Sequence, residues 1–324
     1  MTQMTYAHAL SLGLQEALEA DERVVLMGAG FGGFRADPKA YAPIRERFGD
    51  RITNPPIAEL GYCGIAIGAA LTGLRPIVAI GTGSFSYEAF AQIANEAPQA
   101  YYGTRGQVTC PIVFHMRTGI RGAGALQHSQ SPQSLYWNTP GLEIVVPGSP
   151  ADARGLMKTA VLQSDNPTIF IDHEHLQTIT GEVDESQDAI PFGVAEVKRE
   201  GSDVTIVATS VMVYRALEAA ERLAGDGISA EVVDPRTLVP LDKGAILASV
   251  AKTGRVVVAD ETQRSCGVTA EIAAIIAEEG FESLKAPIKR VAIPDVPIPY
   301  HASEEAYITP SVEGIVAAVN QICR

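Results

Sequence analysis

Short runs rich in valine and isoleucine alternate along the whole chain with stretches whose apolar residues recur at helical spacing. An apolar run without polar alternation suits a strand buried on both faces, and such strands joined by crossover helices make a parallel sheet. This alternation restricts the chain to α/β architecture. In the first half, Arg23–Met27, Arg75–Ile80, Pro111–His115, Leu142–Val146 and Pro167–Ile171 read as strands, with helices expected at Gly61–Leu74, Tyr87–Tyr102 and Pro150–Leu162. The polar, acidic segment Leu176–Pro191 has no convincing period and reads as a linker or long connection. Beyond it the alternation restarts, with strands at Val204–Ala208, Ala230–Val233, Arg255–Asp260 and Ile288–Ile293. Helices at Met212–Ala224, Lys243–Ala251 and Val268–Glu279 separate them, and the helical pattern Pro310–Ile322 should pack back on this second sheet. The expectation is two doubly wound domains, 1–190 and 191–324.

Of the 324 residues, 46% are hydrophobic, which is enough to bury two cores. The formal charge of −13 opposes the phosphate contacts on which nucleic-acid binding depends. Cys63, Cys110, Cys266 and Cys323 form no CxxC pair, so neither a zinc ribbon nor a disulfide framework is indicated, and a reducing cytoplasm fits. The N-terminus has no basic stretch followed by an apolar run, and no later apolar stretch is long enough to span a bilayer, so a soluble, untargeted protein is expected.

Two glycine motifs invite misreading. Gly28-Ala-Gly30-Phe-Gly-Gly33 follows a strand and satisfies G-x-G-x-x-G, with Asp50 near the place of a ribose ligand. A dinucleotide fingerprint needs a helix opening at the third glycine, and Pro38 and Pro43 argue against a helix there. Gly225-Asp226-Gly227 resembles the opening of a diphosphate-and-magnesium motif but lacks the Asn-Asn that should follow, and it falls where glycine commonly ends a helix.

The most informative stretch runs from Asn54-Pro-Pro-Ile57-Ala-Glu59 into a helix carrying Gly61, Gly64, Ala66, Gly68, Ala69 and Ala70. Small residues permit close backbone approach, as at a subunit interface, and such approach would desolvate Glu59. By pattern alone Glu59 reads equally well as an acid favouring the start of a helix, Phe85 as core, and His128 as a structural loop histidine. Further along come Gly81-Thr-Gly-Ser-Phe85-Ser-Tyr-Glu-Ala-Phe90, Gly122-Ala-Gly-Ala-Leu-Gln-His128-Ser-Gln130 and Pro147-Gly-Ser-Pro-Ala-Asp-Ala-Arg-Gly155-Leu.

With these motifs and Asp234-x-Arg236-Thr-Leu-x-Pro240-Leu-Asp242, the chain resembles, nearly end to end, the beta subunits of the thiamine-diphosphate-dependent first component of 2-oxo acid dehydrogenase complexes, acetoin dehydrogenases included. The resemblance implies a transketolase-like pyrimidine-binding domain, a transketolase C-terminal domain, and an assembly of two alpha and two beta subunits. It implies transfer of an acyl group from a small-molecule substrate to the lipoyl arm of an acyltransferase component. In this family the alpha subunit holds the diphosphate and magnesium, which accounts for the missing Asn-Asn. Glu59 matches the glutamate that hydrogen-bonds N1′ of the aminopyrimidine, so that the exocyclic nitrogen can take the proton from the thiazolium carbon. Phe85 matches the aromatic that stacks on that ring, Ile57 a wall residue beside it, and His128 a histidine at the active-site mouth.

The chain departs from the family pattern in places. Gly28-Ala-Gly stands where Gly-Glu and a further acid are usual, Ala91 where many members have Asp, and Gly83 where a bulky residue is common. The stretch from Ala160 to Pro167 is longer than the family's potassium-binding turn, so potassium is not counted among the expected cofactors. His173–Glu182 is closer to acetoin-type than to pyruvate-type members. The rival readings are a subunit of a split transketolase, which predicts basic residues around the pocket where only Arg117 and Arg121 lie near His128 in sequence, and a non-catalytic NAD-binding or assembly subunit.

Overall fold

The computed structural model describes residues 1–28, 38–122, 124–186 and 188–323. They divide into two compact units, one of Met1–Thr118 with Leu135–Phe192 and one of Gly119–Ser134 with Gly193–Arg324. The segment carrying His128 thus clusters with the C-terminal part of the chain.

In the first unit, strands follow one another across a parallel sheet in the order Glu143–Val145, Thr168–His173, Val113–Thr118, Arg75–Thr82, Val24–Met27 and Ile52–Thr53. Ile77, Val78, Val113, Phe114, Ile169 and Phe170 are buried, which is why these strands read as unbroken apolar runs. The helices Tyr6–Ala20 and Pro150–Lys158 pack so closely that a Cβ on Gly13 would lie 2.8 Å from the carbonyl oxygen of Arg154. Ser149 caps the second of them, its Oγ accepting from the amide of Asp152 at 3.2 Å.

Three expectations are corrected here. Leu176–Pro191 is not structureless, because Thr180–Val183 pairs antiparallel with Thr2–Thr5, a long-range pairing for which the polar sequence gives no apolar alternation. Pro43 does not prevent a helix, which runs over Pro38–Phe48. Burial of Tyr41 and Ile44, together with a hydrogen bond from Ser11 Oγ to the carbonyl of Ala40 (2.6 Å), compensates for the backbone bond that proline removes. The expected helices Tyr87–Tyr102 and Pro150–Leu162 are not regular: the first is preceded by a 3₁₀ turn over Gly83–Ala89, and each contains a π turn, at Gln92–Glu96 and Thr159–Gln163.

The second unit has strands in the order Lys289–Ile293, Val256–Gln263, Val204–Ala208, Ala230–Asp234 and Glu196–Arg199, all parallel except the last. Helices Met212–Gly225, Lys243–Thr253 and Val268–Glu279 fill the crossovers, and Val312–Cys323 packs against the first of them and the sheet, as its spacing predicts. Gly227 has φ +81 just beyond the end of Met212–Gly225, consistent with helix termination rather than a diphosphate loop.

Candidate functional site

Two prolines, Pro55 and Pro56, keep the chain out of the helical region until Ala58, and the helix Glu59–Leu71 opens with the glutamate in its first turn. Glu59 is half-buried, and Ile57, just before it, is 85% exposed. Tyr62, one turn on, is buried; burial first, and then the charge of the nearby Glu59 carboxylate, push its hydroxyl well above the ordinary tyrosine range. The same two causes push the Cys63 thiol up to about 12, so it is an inert packing group.

The face of this helix formed by Tyr62, Cys63, Ala66, Ile67 and Ala70 is buried, and the helix packs on the 3₁₀ turn Gly83–Ala89 that presents Phe85. Ser86 Oγ donates to the carbonyl of Gly83 (2.6 Å), and the buried Tyr136 hydroxyl donates to Ser86 Oγ (2.9 Å) while its ring stacks on Phe90 at 5.6 Å. Phe85 is half-buried on this braced turn. The first unit therefore places Glu59 and Phe85 on two packed elements, with Ile57 in the chain just before the first of them. The bracing pair Ser86 and Tyr136 lies 50 residues apart, and nothing in the sequence signals it.

Of the small residues, Ala66 and Ala70 pack within the chain, whereas the three glycines do not. Gly61, Gly64 and Gly68 are exposed, and a Cβ at any of them would meet no atom closer than 3.9 Å. With Leu60, Ile65 and Leu71 they form an exposed, largely apolar helix face.

At the carboxyl ends of Val113–Thr118 and Thr168–His173 lies a polar cluster that sequence reading does not reveal. Asp172, fully buried, accepts from Gln177 Nε2 (3.0 Å), and its Oδ2 lies 3.2 Å from His115 Nε2. Arg117 lies within 3.6 Å of Asp172 and 3.5 Å of Glu174. Burial alone would raise the Asp172 carboxyl, but His115, Arg117 and Gln177 outweigh it and hold the group below the usual carboxylate range.

His128, in the second unit, ends the short helix Ala125–His128 and is half-buried, with its amide bonded to the Gly124 carbonyl (3.2 Å). Of the glycine-rich loop, Gly30 and Gly33 lie outside the described residues. Gly28 has φ +117, and a Cβ there would fall 2.3 Å from the carbonyl oxygen of Ala79, so strand packing explains this glycine without a dinucleotide. In the turn expected to differ from a potassium site, the carbonyls of Val161 and Ser164 accept from the buried Arg75 guanidinium. Among the described residues no group of three or more His, Cys, Asp or Glu side chains is placed to hold a metal ion, and no helix is long and apolar enough to cross a membrane.

The pyrimidine binding domain of transketolase matches residues 2–178, and the transketolase C-terminal domain matches residues 193–315. The pyruvate dehydrogenase E1 component subunit beta of Rickettsia felis is 42% identical over 322 residues, covering 99% of this chain and 98% of that one. The chain belongs to the E1 beta-subunit family of 2-oxo acid dehydrogenases. The 2-oxoisovalerate dehydrogenase subunit beta of Bacillus subtilis is 41% identical and covers 99% of each chain. The mitochondrial pyruvate dehydrogenase E1 component subunit beta-2 of Oryza sativa is 42% identical over 99% of this chain and 86% of its own length. Among solved structures, a split-gene transketolase described as an inactive beta4 tetramer has a TM-score of 0.79 at 25% identity, with 99% of each chain covered. The two doubly wound units are thus those of a transketolase-like E1 beta subunit.

Proposed function

We propose that this chain is the beta subunit of a thiamine-diphosphate-dependent dehydrogenase that oxidatively decarboxylates a 2-oxo acid or cleaves acetoin and passes the acyl group to lipoamide. It works in an assembly of two alpha and two beta subunits, in the cytoplasm, with a lipoyl acyltransferase as the acceptor component. The observation that carries this reading is the half-buried Glu59 at a helix start packed beside the turn that presents Phe85, in a chain related over its whole length to E1 beta subunits.

These groups suit the aminopyrimidine half of thiamine diphosphate, which is a planar ring with a nitrogen that needs a proton-sharing partner. Glu59 holds the proton at N1′, and the buried Tyr62 lies one turn along the same helix. Phe85 and Ile57 supply apolar surface to the ring and exclude water from it. When bound, thiamine diphosphate supplies an acidic thiazolium carbon and an electron sink. His128 donates a hydrogen bond to the substrate oxygen or to the lipoyl group. The diphosphate and its magnesium belong to the alpha subunit, since Gly225-Asp226-Gly227 serves as a helix end. Potassium has no part in this reading.

The pairing of Arg117 with Asp172 and Glu174 favours a 2-oxo acid or acetoin over a sugar phosphate, because a guanidinium neutralised by two carboxylates is a poor phosphate anchor. Reductive acylation of a free lipoyl domain by the assembled enzyme, offered pyruvate, a branched-chain 2-oxo acid, acetoin or a ketose phosphate, tests the assignment. Acylation with one of the first three supports it, and turnover with the ketose phosphate alone contradicts it.

A further inference from the structure

We propose that Glu261 is a positioning residue for His128, acting through the backbone of the loop that carries it. This rests on the reading of His128 as the donor to the substrate or lipoyl group. The loop enters the second unit at Gly119 and Gly122, with φ +100 and +74, conformations that let the chain turn sharply on either side of Ile120. Ile120 is held in two ways. Its amide donates to Glu261 Oε1 at 2.6 Å, and its side chain sits in a buried cluster with Ile293, Ile298 and Ile308.

Glu261 is itself only 4% exposed, and its charge is compensated by Arg215, whose Nη1 donates to Oε2 at 3.1 Å and to the carbonyl of Pro310 at 2.7 Å. A buried carboxylate matched by a guanidinium and aimed at a loop amide makes a short, charge-assisted anchor. The loop beyond is over-determined. Ala125 is held at φ +55, and a Cβ on Gly124 would lie 2.4 Å from Ser129 Oγ. A non-glycine residue in that region persists only where surrounding contacts enforce it. The helix Ala125–His128 is only four residues long, so the fixed point at Ile120 contributes to the placement of the segment that carries the imidazole.

The test compares Glu261→Ala, Glu261→Gln, His128→Ala and the Glu261→Ala/His128→Ala double variant in the assembled enzyme. Three readouts are taken: thiazolium proton exchange, reductive acylation of a lipoyl domain, and hydrogen exchange of the amides in 119–128. Glu261→Ala should lower acylation on the order of 10- to 100-fold, the cost of misplacing a reacting group by about 1 Å. It should leave thiazolium exchange unchanged and speed amide exchange in the loop. Glu261→Gln keeps an acceptor for Ile120 and should lose less; it also replaces the alanine variant in every comparison should that one fail to assemble. In the His128→Ala background, the substitution at 261 should have no further effect on acylation. Unchanged acylation, or an equal loss with and without His128, overturns the proposal. If His128→Ala itself leaves acylation intact, the role of His128 fails. Amide exchange then decides the anchor alone, with unaltered loop protection in the Glu261 variants refuting it.

Discussion

Asp172 Oδ2 and His115 Nε2 lie 3.2 Å apart at the carboxyl edge of the first sheet, and the carboxylate so held is fully buried. Its pKa is depressed in the folded state, so its contribution to stability is present above the unfolded value, about 4, and is lost as pH falls through the lower folded value. Asp260, fully buried in the second unit, has its carboxyl raised, chiefly by burial, and acts in the opposite sense. Urea unfolding across pH 3 to 6 should show stability falling with acid in the native chain. Asp172→Asn should flatten that fall, and Asp260→Asn should leave it at least as steep. A slope unaffected by Asp172→Asn would show that the cluster is not what acid disrupts.

Glu59→Gln should preserve folding and assembly while slowing proton loss from the thiazolium carbon by about two orders of magnitude or more, since an amide cannot exchange the proton with the pyrimidine. NMR of hydrogen–deuterium exchange at that carbon in the assembled enzyme measures this. An unchanged rate would reduce Glu59 to an acid that favours a helix start.

His128→Ala should separate two steps that a turnover assay merges. Thiazolium exchange should survive, because the proposed function gives that step to Glu59 and the aminopyrimidine. Reductive acylation should fall by about two to three orders of magnitude, as when one oxyanion donor is removed. Unimpaired acylation would make His128 a structural residue of its loop.

The strands rich in Val, Ile and Phe, Val204–Ala208 and Thr168–His173 among them, were legible because burial on both faces removes regular polar alternation. Thr180–Val183 was not, because its order comes from a partner at the other end of the chain. The helix through Pro43 and the π turn at Thr159–Gln163 depend on tertiary packing that no local propensity encodes. Ile57, Glu59, Phe85 and His128 were named from motifs. The residues that brace their surroundings, Ser86 with Tyr136 and Ile120 with Glu261, meet across 50 and 141 residues and leave no pattern to read.

The exposed glycines of the helix Glu59–Leu71 give a way to separate assembly from folding. A Cβ added at Gly68 meets nothing within 4 Å outside its own helix backbone, and leucine favours a helix over glycine by somewhat less than about 1 kcal/mol. The variant should therefore fold as well as or better than the native chain while failing to form its assembly, if close packing on a partner subunit uses that face. Thermal unfolding and sedimentation velocity on the same sample check both halves. A variant that folds and assembles normally would show the face to be unoccupied.

In the proposed function this chain carries the pyrimidine side of a shared site and needs an alpha subunit for the rest. The most direct measurement is decarboxylation with an artificial electron acceptor, in the presence of thiamine diphosphate and magnesium, by the purified chain alone and after mixing with the alpha subunit. No turnover is expected from the chain alone, and turnover should appear on mixing and saturate at equal subunit ratio. Robust turnover by the pure chain would contradict the proposed function.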